Sequence, residues 1–148
     1  MAQTYFKTEP CIVNIGLSHQ SPDPVLINSM HEQLIKGLTV VAIEKATNII
    51  AGVAINVSSQ PSDCKKSADI AEKCEPGLAR NLMKFFAFVC KKSNVWDIYK
   101  VPCLFECSHV SIHPDHQGQG LGKRLIRESW VLARDTGFRV FRIDCSSV

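Results

Sequence analysis

The chain has 148 residues, 45% of them hydrophobic and 21% charged, a composition typical of one globular domain. A formal net charge of +3, without a long Lys/Arg run, argues against nucleic acid as a partner. No apolar stretch reaches the roughly 18 residues of a membrane span, and Met1–Pro10 lacks the apolar segment of a signal peptide. These features predict a single cytoplasmic domain without a membrane partner.

Seven cysteines occur at irregular spacings without a C-x-x-C pair, which argues against a zinc ribbon or a thioredoxin-like redox motif. Without a secretory signal, free thiols are expected. Four of the cysteines lie among apolar residues and are predicted to pack as small hydrophobic side chains: Cys90, Cys103, Cys107 and Cys145.

The first half of the chain predicts one helix, one hairpin and one loop. Apolar residues recur at helical spacing over Pro24–Lys36, and Gly37 is expected to end that helix. Thr39–Glu44 and Ile49–Val57 are rich in β-branched residues on either side of a short turn, which predicts an antiparallel hairpin. The polar stretch Ser58–Glu75 is predicted to be a loop.

The second half predicts two helices and two strands. A helix is expected over Pro76–Ser93, with a stripe of core-packing residues at Leu78, Leu82, Phe85, Phe86 and Val89. The elements predicted after it are a connector at Asn94–Pro102, a strand at Cys103–Ile112, a helix at Gly120–Thr136 and a strand at Phe138–Asp144. The two strands are expected to be parallel neighbours joined by a right-handed helical crossover.

A glycine-rich segment links the strand that ends at Ile112 to the following helix. It contains three glycines in G-Q-G-L-G, beginning at Gly118, which lets the backbone approach a ligand closely. The helix N-terminus supplies unpaired N–H groups and a partial positive charge. Lys123 and Arg124 oppose that helix dipole, and a bound phosphate would offset the cost. The segment therefore predicts an anion site suited to a pyrophosphate.

The spacing excludes two common phosphate-binding loops. A Walker A loop would need glycine in place of Gln117 and Ser or Thr in place of Arg124. The G-x-G-x-x-G fingerprint of dinucleotide-binding proteins would need a third glycine in place of Lys123 or Leu125. A plain connector between a strand and a helix needs neither three glycines nor two cations.

The spacing that is present, Q-x-x-G-x-G at Gln117, Gly120 and Gly122, resembles the coenzyme A pyrophosphate loop of the GNAT acetyltransferase superfamily. The resemblance covers nearly the whole chain. Within the superfamily, the sequence is most similar to the insect arylalkylamine N-acetyltransferases. The further segments that carry it are Tyr5–Pro10 (F-F-x-x-E-P in the family), Lys36–Ile43 with Ile50–Asn56, Val95–Tyr99, and Asp144–Ser147 with its C-S-S.

The resemblance implies an α/β protein with the GNAT (acyl-CoA N-acyltransferase) fold, a mixed central sheet flanked by helices. It also implies transfer of an acetyl group from acetyl-CoA to a primary arylalkylamine such as dopamine, serotonin or tryptamine, by direct attack on the thioester. The backbone near Val110 and Ile112 would hold the oxyanion and pair with the pantetheine arm. The coenzyme-binding residues implied are Val110, Ser111, Ile112, Gln117, Gly118, Gln119, Gly120, Leu121, Gly122, Lys123 and Arg124.

The resemblance also assigns catalytic residues. Glu9 matches the family's proposed general base, and Ser146 matches a serine proposed to assist deprotonation. Glu106 is a second candidate base. Its alternative interpretation is a charged residue at the edge of a strand, without a catalytic role. The alternative interpretation of Glu9 is a surface residue at a helix terminus, without a catalytic role. The tyrosine that protonates the leaving thiolate in the family has no counterpart before Val148.

Relative to the family, residues 1–148 are expected to form one acetyltransferase domain that is incomplete at both ends, about two-thirds of the whole. The first strand would be missing, as would the C-terminal helix and strands. The alternatives left open are a catalytically impaired coenzyme-A-binding fragment and an acetyltransferase for polyamines or other small amines.

Two further residue groups have alternative interpretations. Tyr5, Phe6 and Trp96 are candidates for an aromatic pocket, although such residues are more often core. His109, His113 and His116 lie within eight residues, but no acidic or thiolate ligand completes a tetrahedral set, so no metal site is expected.

Overall fold

The computed structural model describes residues 2–145. They form a four-stranded sheet in the order β1-β2-β3-β4 with helices on both faces. The strands are β1 (Val40–Ile43), β2 (Ile50–Ser59), β3 (Leu104–Ile112) and β4 (Phe141–Ile143). The helices are α1 (Ala2–Thr8), α2 (Pro10–Asn14), α3 (Pro24–Leu34), α4 (Asp63–Lys73), α5 (Leu78–Ser93), α6 (Val95–Tyr99) and α7 (Leu121–Asp135). None of the helices in this part of the chain has the length and apolar character needed to span a membrane.

The strand pairing follows the hydrophobic pattern of the sequence. β1 and β2 form the predicted antiparallel hairpin, with Val41 opposite Val53. β3 is antiparallel to β2 and parallel to β4, with Phe105 opposite Phe141. The expected parallel relationship between the last two strands is therefore confirmed, and α7 is the crossover between them.

Helix α7 covers one face of the sheet. Its buried stripe is Leu125, Ser129 and Ala133, spaced four residues apart as on one helix face. The Ser129 Oγ accepts a hydrogen bond of 3.0 Å from the Asn56 side-chain amide of β2. At Gly52 an added Cβ would lie 2.8 Å from Ile112 Cδ1 and 3.0 Å from Leu125 Cδ1, so glycine permits the close approach of helix and sheet.

The opposite face is covered by the N-terminal helices and α5. The main core cluster contains Phe6, Ile12, Leu26 and Met30, which pack on alternate residues of β2 such as Ile55. Trp96 belongs to a separate cluster with Val101 and Leu104, and its indole N–H donates to the Ser59 carbonyl at 3.2 Å. Trp96 is therefore a core residue.

Two of the predicted irregular segments are helical, so those predictions are wrong. Ser58–Glu75 contains the last two residues of β2 and the whole of α4. Asn94–Pro102 contains α6. Helix α4 was missed because its surface is mostly Lys, Asp and Ser, and only Ala71 is fully buried. Packing against α5 stabilises a helix whose own apolar periodicity is weak.

The apolar stripe predicted on α5 does not lie in the core along its whole length. Leu82 is buried, but Phe85 and Phe86 are 52% and 37% exposed. The correction matters for function, because both rings line a cleft described below.

Cys64 and Cys90 form a disulfide that joins α4 to α5, so the expectation of free thiols is wrong for these two. The two residues are 26 positions apart, and the bridge holds the polar helix α4 against the rest of the domain.

Reduction of this disulfide, or Cys64→Ser, is expected to lower the free energy of unfolding by about 3 kcal/mol, because the unfolded chain regains the entropy of an open loop. Thermal melting with and without reductant checks this. Cys145→Ser, at an exposed cysteine outside the bridge, is the matched control. An unchanged melting temperature in Cys64→Ser would contradict the prediction.

Candidate active site

The glycine-rich segment forms a loop between β3 and α7. A single 3-10 turn at Pro114–His116 follows the strand, and Gly118 and Gly120 have φ of +74° and +73°, in the region that favours glycine. The helix begins with a 3.2 Å hydrogen bond from the Arg124 N–H to the Gly120 carbonyl. The backbone N–H groups of residues 120–123 therefore lack intrahelical acceptors.

The loop is open on its outer side. A Cβ added to Gly118, Gly120 or Gly122 would meet no atom within 4 Å. The Gln117 side-chain amide donates to the Ile112 carbonyl at 3.4 Å, which ties the loop back to the end of β3. The exposed N–H groups, with the exposed Lys123 following them, form a site that fits a pyrophosphate.

The edge of β3 next to this loop is only partly paired. β4 pairs with it over Phe105–Cys107, whereas β2 pairs with it as far as Ile112. Within the described chain, Ser108–Ile112 thus has no strand on the β4 side. The His113 N–H donates to β2 at Ala51, so strand alternation turns the N–H groups of Val110 and Ile112 toward the open edge.

A cleft of about 510 Å³ lies on the face of the sheet opposite α7. Its aromatic lining includes Tyr5, Phe6, Phe85 and Phe86, and two of its carboxylates are Glu9 and Glu106. β3 connects the cleft with the glycine-rich loop. Glu106 of this strand lines the cleft, and the open edge that follows it leads to the loop.

Glu9 is half-buried at the junction of α1 and α2 and lines the cleft. Its Oε2 accepts a 2.8 Å hydrogen bond from the Ile12 N–H, which caps α2. The carboxylate is therefore both a helix cap and a group that faces the cleft. The cap fixes its position while Oε1 is left for other partners.

Glu106 lies on β3 between β2 and β4, so the interpretation as a strand-edge charge is wrong. Burial raises the pKa of its carboxyl, and the opposing effects of Arg142 and of a hydrogen bond with Ser59 do not fully offset this. A carboxyl with a raised pKa in a cleft is suited to acid–base chemistry.

Ser108 and His109 both line the cleft because β3 has a bulge there. The register with β2 changes from Asn56 opposite Cys107 to Ile55 opposite His109, which leaves Ser108 as the extra residue. The His109 Nδ1 lies 3.0 Å from the Ser108 Oγ, and its ring makes an edge contact with Tyr5 at 4.9 Å between ring centroids.

Burial lowers the pKa of His109 to about 4, although Glu9 opposes the shift, and the imidazole is neutral at physiological pH. Burial raises the pKa of Tyr5, with Glu9 and Cys11 adding to the effect.

The His109 pKa predicts loss of stability in acid. Between pH 6.5 and about 4 the unfolded chain binds a proton on His109 that the folded chain does not, so stability falls as the pH decreases. The expected loss is about 2–3 kcal/mol. Urea unfolding at several pH values, compared with His109→Gln, isolates the effect. Equal pH dependence in the two proteins would contradict it.

Several functional candidates were not recognised in the sequence. The sequence pattern predicts that Phe85 and Phe86 lie in the core, and nothing in a single sequence places them on the same cleft as Tyr5. The bulge at Ser108 has no sequence signal. Ser146 lies outside the described residues. Among the residues described, no group of three His, Cys, Asp or Glu side chains is placed to hold a metal ion.

A family model described as "Acetyltransferase (GNAT) family" matches residues 95–147. No curated protein sequence matches the chain significantly. The structure of arylalkylamine N-acetyltransferase 2 from Aedes aegypti is 28% identical, with a TM-score of 0.86 over 99% of this chain and 68% of that one. Two further structures share the fold. A mosquito arylalkylamine N-acetyltransferase like 5b has 20% identity, a TM-score of 0.84 and coverage of 97% and 68%.

The Drosophila melanogaster polyamine N-acetyltransferase, described as forming N-acetylagmatine, has 21% identity, a TM-score of 0.84 and coverage of 98% and 68%. The family match spans β3, the glycine-rich loop, α7 and β4, the elements that form the candidate coenzyme site. Residues 95–147 therefore match the GNAT acetyltransferase family, and the described chain has the fold of the insect arylalkylamine N-acetyltransferases.

Proposed function

We propose that the protein transfers an acetyl group from acetyl-CoA to a primary arylalkylamine. The observation that supports this best is the arrangement along β3. The glycine-rich helix N-terminus that follows the end of β3 offers an anion site. The cleft on the face of the sheet opposite α7, lined by aromatic rings and carboxylates, offers an amine site. The open edge of the strand, Ser108–Ile112, lies between them.

Residues 117–124 would bind the pyrophosphate of the coenzyme through loop N–H groups and through the cations of Lys123 and Arg124. The open edge of β3 would pair with the pantetheine arm as an added strand does. The Val110 and Ile112 N–H groups point to that edge and would stabilise the oxyanion of the tetrahedral intermediate. Acetyl-CoA would supply the thioester carbonyl.

The amine must lose a proton before it can react, because primary alkylamines titrate near the lysine value of about 10.4. Glu9 would accept this proton directly or through water, with Glu106 as the second candidate base and Ser146 as an assisting group. The amine nitrogen then forms a bond to the carbonyl carbon, the carbon–sulfur bond breaks, the nitrogen loses a second proton to become the amide, and the thiolate takes up a proton to give the coenzyme A thiol.

Direct transfer is favoured over an acetyl-cysteine intermediate. The cysteine of β3 is Cys107, which is buried with Ala54 and Leu125 beneath α7 and also borders the cleft. Burial raises its pKa to about 11, against an opposing hydrogen bond with Ser129. Little thiolate is present at neutral pH, and the thiolate is the nucleophilic form.

A second substrate class also has support in the cleft. Besides Glu9 and Glu106, the lining includes Glu32 and two ion-paired carboxylates, Asp63 with Lys66 and Asp144 with Arg142. The three glutamates Glu9, Glu32 and Glu106, which form no salt bridge within the described residues, would suit a ligand with more than one cationic group, as in a polyamine or agmatine.

Release of coenzyme A thiol, with mass detection of the acetylated product, tests the proposal against tryptamine, dopamine, agmatine and spermidine. Acetylated tryptamine or dopamine is expected. Preferential acetylation of agmatine or spermidine would move the substrate to the second class. Binding of acetyl-CoA with no product from any amine would instead indicate a coenzyme-binding protein without catalysis.

A further inference from the structure

The bulge in β3 gives the cleft a histidine whose role the proposed mechanism leaves open. On a regular strand, neighbouring side chains point to opposite faces, but Ser108 and His109 both line the cleft. His109 directly precedes Val110, whose N–H points to the open edge where the thioester carbonyl is proposed to lie. His109 is thus the cleft-lining residue that immediately precedes the proposed oxyanion-binding N–H.

The hydrogen bonds of Ser108 define the tautomer of His109. The Ser108 hydroxyl has one proton, and it has two carbonyl acceptors, the Gln33 Oε1 at 2.7 Å and the Ile55 carbonyl at 3.1 Å. With its proton directed to either one, the Ser108 Oγ can only accept from the His109 Nδ1 at 3.0 Å. The assignment follows from the Gln33 orientation in which Oε1 faces the Ser108 hydroxyl.

A neutral imidazole with its proton on Nδ1 has a lone pair on Nε2. His109 is neutral because it is largely buried beside Tyr5, and its ring is still part of the cleft lining. The cleft therefore presents a fixed hydrogen-bond acceptor, in addition to the carboxylates Glu9 and Glu106.

We infer that the His109 Nε2 accepts a hydrogen bond from the substrate amine and orients the nitrogen lone pair toward the thioester, with Ser108 and Gln33 as positioning residues that hold the required tautomer. The inference rests on the proposed function. It divides two tasks between different groups: Glu9 removes the proton, and His109 directs the nitrogen that remains.

The Nε2 acceptor explains why a weakly basic histidine suits this position. A protonated imidazole would repel an ammonium ion and could not accept a hydrogen bond. Burial against Tyr5 keeps the ring neutral, and the residue still lines the cleft.

Three variants test the inference by steady-state kinetics. His109→Leu removes the acceptor and is expected to lower kcat/KM for tryptamine by about tenfold or more. His109→Gln retains an acceptor oxygen and should recover part of the loss. Ser108→Ala keeps the imidazole but frees its tautomer, and should lower kcat/KM by less than His109→Leu. The KM for acetyl-CoA is the internal reference and should change less than twofold.

Nitrogen NMR of the imidazole provides a readout that does not need turnover. The wild type should show the Nδ1–H tautomer, Ser108→Ala a mixture, and saturating tryptamine should shift the Nε2 resonance. An Nε2–H tautomer in the wild type, or an Nε2 resonance unaffected by bound tryptamine, would overturn the inference. If no amine is acetylated, the proposed function fails, and the NMR titration still decides whether His109 contacts the amine.

Discussion

Replacing Gly122 by glutamate is expected to weaken coenzyme A binding by about a hundredfold or more. The new carboxylate would lie at the helix N-terminus where the pyrophosphate is proposed to bind, and like charges in contact cost several kcal/mol. The same substitution should not harm the fold. Gly122 lacks a positive φ, and an added Cβ there meets nothing within 4 Å.

Folding stability should even rise in Gly122→Glu. Glycine within a helix is less favourable than an ordinary residue by about 0.5–1 kcal/mol, and an acidic residue in the first turn complements the helix dipole. Gly120→Glu is a poorer test, because φ of +73° at Gly120 would strain any side chain. Isothermal titration with coenzyme A, beside thermal melting, separates binding from folding.

Gly122→Ala is the matched control, because it adds a Cβ without a charge and should retain most of the affinity. Equal dissociation constants for the wild type and Gly122→Glu would contradict a pyrophosphate site at this loop.

Substituting Glu9 by glutamine is expected to lower turnover by about a hundredfold, the usual contribution of a general base. The glutamine oxygen can still accept from the Ile12 N–H, so the cap of α2 should persist. The pH–rate profile should change as well. Without the base, the rate should follow the fraction of free amine in solution and increase toward pH 10.

Glu106→Gln is the comparison variant, since its carboxylate also lines the cleft. The affinity for acetyl-CoA should be little changed in both variants. If the pH–rate profile changes in Glu106→Gln but not in Glu9→Gln, the general base is Glu106. An unchanged profile in both variants would leave water as the base.

The strand, glycine-rich loop and helix of the candidate coenzyme site were predictable from the sequence because they are local. The strand that ends at Ile112, the three glycines and the following amphipathic helix are contiguous, so residue spacing alone specifies an exposed helix N-terminus. The parallel pairing of β3 with β4 follows from the same strand–helix–strand order.

The cleft proposed to bind the amine could not be predicted in the same way, because its walls come from distant segments. Tyr5, Phe85 and Glu106 meet only after α1, α5 and β3 have packed together. The stripe on α5 was assigned to the core because an amphipathic pattern shows which face is apolar, but does not distinguish a packed core from the lining of a cleft.

The disulfide and the bulge were missed for related reasons. Irregular cysteine spacing does not specify pairing, and Cys64 lies in a helix that itself was predicted to be a loop. The bulge at Ser108 depends on the register with β2, which no local pattern in β3 reveals. Both features form part of the cleft, where tertiary contacts override local preference.

Amide hydrogen exchange measured by mass spectrometry, with and without acetyl-CoA, tests the central claim most directly. The coenzyme is proposed to pair with the open edge of β3 and to cover the N-terminus of α7. We expect slower exchange in peptides that contain Ser108–Ile112 and Gln117–Arg124, no change in β1, and no protection in Gly122→Glu. Unchanged exchange across both segments at saturating acetyl-CoA would contradict the account.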